Sequence, residues 1–185
     1  MADPAKQLYN AFRDEDYDEV NELINRHGGF NKVVDENGWT ALHEAAGDGR
    51  VPILQNIWKM TKPDIDQKDN NRDTPLHSAS YFGNLPSVQW LVGHGSDPQA
   101  INIEWNTAKD IAKRRSKTEV EKFLEKIEAM PPDMFPVKQP SPINYFAINN
   151  DVKGIEEYFS RESQTANDGT DDANSEVITY VSFIL

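Results

Sequence analysis

Several places along the chain bring together side chains able to do chemistry. His43 and Glu44 open an H-E-x-x-H pattern, in which two histidines one helical turn apart hold zinc and the glutamate serves as base. Gly47 occupies the second histidine's place, so that pair is missing. The run D-I-D-Q-K-D from Asp64 begins like a calcium loop. Lys68 stands at a ligand position, Asp69 replaces the required glycine, and Pro75 replaces the closing glutamate. Gly93 and Gly95 lack the third glycine of a phosphate-cradling turn, and no clear strand precedes them. The chain has no cysteine, which excludes disulfides, thiol nucleophiles and thiolate zinc sites. No metal, cofactor or enzyme activity is expected.

Composition narrows the remaining classes. The 185 residues hold 19 basic and 31 acidic side chains, a formal charge of −12. Neutralising phosphates needs a surplus of Lys and Arg, so nucleic acid is not an expected partner. A hydrophobic fraction of 37% is enough for a core. The first residues show no basic segment followed by an apolar run, as a signal peptide would. The longest apolar stretch, Val177 to Leu185, is far below the ~20 residues that span a bilayer. The expectation is a soluble, cytoplasmic protein, with the nucleus as a second compartment.

The elements that would position any site come from an internal repeat. N-G-W-T-A-L-H-E-A-A-G-D-G (Asn37 to Gly49) recurs as N-R-D-T-P-L-H-S-A-S-Y-F-G (Asn71 to Gly83), which puts Thr40 and Thr74 34 residues apart. A weaker copy places Thr107 another 33 residues on, and Leu8, Ala11 and Phe12 fit the same frame earlier. Each copy is followed by a second apolar set at helical spacing: Val20, Leu23 and Ile24; Leu54, Ile57 and Trp58; Val88, Leu91 and Val92; Val120, Phe123 and Leu124. Gly49 and Gly83 fall between the two helices, where the chain must turn tightly. Thr40 and Thr74 are placed as N-caps, with Pro75 at a first helical position. His43 and His77 recur with the repeat, which marks them as scaffold groups bonding neighbouring loops. Each unit has one apolar face that only stacking covers.

At the two T-x-L-H-x-A cores, Thr40 to Ala45 and Thr74 to Ala79, the sequence strongly resembles the ankyrin-repeat family. The resemblance covers about residues 1–128 and implies an all-α solenoid of helix–turn–helix units with β-hairpin-like finger loops. The first copy lacks the Thr and His, and the last has Lys109 for an apolar residue and Asp110 for His, as suits polar capping units at the ends. The resemblance also implies a non-catalytic interaction module or adaptor whose partner protein sits on the concave side. That side is lined by the fingers and the ends of the first helices. Carried over residue by residue, the candidates are Trp39, Asn71 and Asp73, then Tyr81 and Phe82, and lastly Trp105, Arg114 and Arg115. Tyr81 and Phe82 are the candidate anchors. Trp105 replaces the usual turn glycine, so a distorted or docked last finger is expected. The alternative is an amino-terminal targeting or regulatory segment of a larger enzyme or lipid-transfer protein.

Charge varies along the array, from eleven acidic and five basic side chains in residues 1–50 to six acidic and eight basic in residues 105–138. Such a gradient would orient a partner. Beyond the four-unit array at 1–129, a proline-rich linker is expected over 130–142, with Met134, Phe135 and Val137 able to pack back on the array. A diverged helix pair, read as a fifth unit that could open a second array, is expected at 143–161, then an acidic link and short apolar segment at 162–185. The sequence leaves the oligomeric state and the partner's identity open.

Overall fold

The computed structural model describes residues 3–129. The linker, the helix pair at 143–161 and the tail at 162–185 lie outside the described residues.

Among the described residues eight α-helices form four helix–turn–helix units: α1 (Pro4–Arg13) with α2 (Tyr17–His27), α3 (Ala41–Gly47) with α4 (Val51–Thr61), α5 (Pro75–Phe82) with α6 (Leu85–Gly93), and α7 (Ala108–Arg114) with α8 (Thr118–Glu128). A 3-10 turn, Phe30–Lys32, follows α2. Two or three residues join the helices of a unit, short enough to make each pair an antiparallel hairpin.

The same device ends every first helix. The backbone N–H five residues on returns to an alanine carbonyl, from Asp16 to Ala11, Arg50 to Ala45, Asn84 to Ala79 and Lys117 to Ala112. The residue before each donor is left-handed: Glu15 (φ 59°), Gly49 (72°), Gly83 (83°) and Ser116 (56°). Glycine enters that region freely and other residues at a cost. The alanines are buried too, because α1 packs on α3, α3 on α5 and α5 on α7. The second helices stack as α4 on α6 and α6 on α8. Leu8, Phe12, Leu42, Leu54, Ile57, Leu76, Trp90, Leu91, Leu124 and Ile127 are fully buried in one continuous core. Each such side chain contributes about 1.5–3 kcal/mol by leaving water.

The helix starts follow from their caps. Thr40 Oγ1 accepts from Leu42 N at 3.2 Å, while His43 Nδ1 accepts from Thr40 N at 3.2 Å. His77 does the same for Thr74 at 3.1 Å. In α7 the carboxylate of Asp110 takes the imidazole's place, accepting from Thr107 N at 2.9 Å and Thr107 Oγ1 at 2.8 Å. Lys109, beside it, is ion-paired with Glu128 of α8. The two substitutions that set the last copy apart in sequence thus serve its own unit.

Candidate functional site

The fingers connect the units. Asp35 accepts from Asn37 N and Trp39 N, Asp69 from Asn71 N and Asp73 N, and Asn102 Oδ1 from Glu104 N and Asn106 N, all between 2.7 and 3.1 Å. One acceptor side chain therefore folds each turn. Neighbouring fingers are tied through Asn70 N to Asn37 O and Ile103 N to Asn71 O, both 2.9 Å. With Nδ1 committed as an acceptor, His43 and His77 must carry their proton on Nε2. There they donate across the unit boundary, His43 to Asp73 O at 3.2 Å and His77 to Asn106 O at 3.1 Å. Burial pushes both imidazoles below their ordinary pKa. Both are neutral braces.

The third finger differs from expectation. It is neither distorted nor docked: the Asn102 turn bonds match those of the other fingers, and Trp105 is 79% exposed. Trp105 sits at φ 62°, as Gly38 (81°) and Arg72 (60°) do in the other fingers. The Asn102 carboxamide and the bond to Asn71 hold the turn whatever side chain stands there.

Behind this finger lies a groove of about 220 Å³, between the second and third fingers and the ends of α5 and α7. Of the sequence-derived candidates, Asn71, Asp73, Tyr81, Arg114 and Arg115 line it. Ile103 and Glu104 join them from the third finger. Sequence reasoning missed Asn102 and Ile111. Asn102 was detectable, since Asp35, Asp69 and Asn102 recur at the repeat spacing, whereas Ile111 reads only as a core residue.

The aromatic pair is half exposed, Tyr81 39% and Phe82 50%. The two rings meet edge to face at 5.1 Å. Phe82 leans on α3, where a Cβ at Gly47 would come within 3.1 Å of its ring, so Gly47 makes room for it. The Arg115 guanidinium lies over the Tyr81 ring at 3.8 Å. Arg114 Nη1 donates to Glu104 Oε2 at 2.9 Å and holds that carboxyl below its usual range. Asp73 accepts from Asn102 Nδ2 at 2.9 Å, yet burial pushes its carboxyl up.

Trp39 lies apart from the groove. Its indole N–H donates to Asp69 Oδ2 at 2.9 Å and its ring stacks on His43, which makes it a strut between the first and second fingers. Asp66, from the calcium-like run, accepts from Ser96 Oγ at 2.6 Å and from Asp97 N at 3.1 Å, joining two inter-unit loops. Among the described residues no group of three or more acidic or histidine side chains is placed to hold a metal ion. No helix among them is long and apolar enough to cross a membrane.

Stacked helix hairpins with hydrogen-bonded fingers and a half-open aromatic groove define a repeat scaffold that presents surface. A family profile of ankyrin repeats, in three copies, matches residues 8–102. The mouse protein "Ankyrin repeat domain-containing protein 37" is 30% identical over 114 residues, which cover 61% of this chain and 70% of that protein. Human "B-cell lymphoma 3 protein" is 36% identical over 97 residues, 50% of this chain and 21% of the relative. Human "Ankyrin repeat and SOCS box protein 2" is 29% identical over 99 residues, 54% of this chain and 15% of the relative. The chain belongs to the ankyrin-repeat family. Ankyrin repeats generally mediate protein–protein interaction, and the family is typically non-catalytic.

Proposed function

We propose that this chain is a non-catalytic adaptor that binds a partner protein on its concave finger face, centred on the groove between the second and third fingers. The observation that carries this reading is the exposed Tyr81–Phe82 pair, preorganised beside that groove by Gly47 and Arg115. Half-exposed aromatics held in one geometry lose little entropy on binding, which is what interface anchors need. The test is affinity capture with the full chain and its Tyr81→Ala, Phe82→Ala double variant, with melting temperatures on the same samples. Loss of an anchor costs ~2 kcal/mol or more, roughly thirty-fold in affinity. A folded double variant that holds its captured protein with undiminished affinity would sink the reading.

A second reading has one observation in its favour. The matched stretch is only 15% of the human SOCS box relative, so arrays of this kind also serve as parts of much longer chains. On that reading the array is a targeting or regulatory segment of a larger enzyme or lipid-transfer protein. A transcript whose reading frame runs on past Leu185 would favour it, and a stop codon there would favour the stand-alone adaptor.

A further inference from the structure

Arg115 is held in place without being neutralised. Its guanidinium rests on Tyr81 at 3.8 Å, and among the described residues no carboxylate pairs with it. The two acids in the groove are already engaged, Glu104 by Arg114 and Asp73 by Asn102. A guanidinium that stacks through its face keeps its edge N–H groups for a carboxylate, which they grip in parallel. Lys117, at the start of α8, makes no ion pair with a carboxylate among the described residues either, whereas Lys113 in α7 lies in the field of Asp110.

Beside this charge stands an apolar tip. Ile103 is 54% and Trp105 79% exposed. Trp105 occupies the left-handed position that Gly38 and Arg72 hold in the other fingers, and its exposed ring adds nothing to the core. Although the chain carries −12 overall, exposed charges are screened beyond ~8 Å at physiological salt. The charges lining the groove, not the net charge, therefore set what it accepts, and of its cations Arg115 is the one without an ion-pair partner among the described residues.

We propose that the groove, together with the third-finger tip at its edge, recognises a linear segment of a partner protein in which one or two carboxylates flank an apolar side chain. The carboxylate meets Arg115, and the apolar side chain packs on Ile103 and Trp105. This deepens the reading of the finger face as a protein-binding surface and rests on it.

The test uses the full chain and an array of fluorescent twelve-residue peptides, each with two aspartates and two leucines at varied spacing. Matched controls carry Asn for Asp or Ser for Leu. The best acidic, leucine-bearing peptide should bind at least tenfold tighter than either control. Arg115→Met, which keeps a stem over Tyr81, should remove the preference for Asp over Asn. Trp105→Gly suits the local backbone and should remove the preference for Leu over Ser while leaving the salt dependence. Equal binding of Asp and Asn peptides, no binding at all, or an unchanged preference in Arg115→Met would overturn the proposal. A tenfold rise in peptide affinity on Asp171→Asn, Asp172→Asn, Glu176→Gln would overturn it differently, by showing that the chain's own acidic segment fills the groove. If the peptides fail while Tyr81→Ala, Phe82→Ala still releases a captured protein, only the acidic chemistry falls and the finger-face reading stands.

Discussion

Ser80 is fully buried in α5, and its hydroxyl has no hydrogen-bond partner among the described residues. One unit earlier the same position is Ala46, equally buried. An unsatisfied buried hydroxyl costs stability, so Ser80→Ala should stabilise by about 1 kcal/mol and raise the melting temperature by a few degrees. A lower melting temperature would mean that the hydroxyl has a partner in solution. His43 points the other way. His43→Ala strands the Asp73 carbonyl and removes the Thr40 acceptor, at a cost of about 1–3 kcal/mol. Burial lowers the pKa of His43, His77 and His94, so the unfolded chain binds protons more readily than the folded one. Their contribution is intact above the ordinary histidine value near 6.5 and is lost as pH falls below it. Asp66 and Asp73, raised by burial, oppose this trend at lower pH, because they favour protonation in the folded state. Urea melts between pH 7 and 5 should show falling stability, with a shallower slope in His43→Ala.

Turns and fingers show how much of an element is written locally. The helix pairs, the threonine N-caps and the turn glycines were legible because the repeat aligns them and each is decided within a few residues, whereas the return bond from each threonine N–H to its histidine was not. Trp39 to Asp69, Arg115 to Tyr81 and Lys109 to Glu128 were not, because the rotation between stacked helices decides which long side chains meet. The Trp105 expectation fails for a related reason: a missing glycine does not decide a turn that the Asn102 acceptor folds. The left-handed turn positions give a paired prediction. Gly83→Ala should cost about 1 kcal/mol from its φ of 83°, since the Lys117 side chain that a Cβ would meet is flexible. Ser116→Gly, at the matching turn one unit later, should move stability in the opposite direction. Equal effects of one sign in chemical denaturation would show that side-chain contacts, not backbone conformation, dominate these turns.

Over the whole molecule the buried clusters of successive units join, so stability is shared between neighbours and no unit stands alone. The last described unit is closed by its own polar contacts, Lys109 to Glu128 and Asp110 to Thr107. A chain of residues 1–129 is therefore expected to be helical by circular dichroism and to unfold in one cooperative transition. A molten or aggregated product would show that residues 130–185 supply core to the array.

Asp110 also gives the array a grammar. A histidine at that position is a connective: its Nδ1 closes its own unit, and its Nε2 proton must be received by the next one. An ionised carboxylate keeps the first role and has no proton for the second, so Asp110 acts as a full stop. A duplicated unit spliced between the second and third would find a histidine on one side and a waiting carbonyl on the other. The same unit appended after α8 would receive no such bond. A unit inserted inside the array would therefore gain one cross-boundary hydrogen bond that a unit placed directly after α8 would lack.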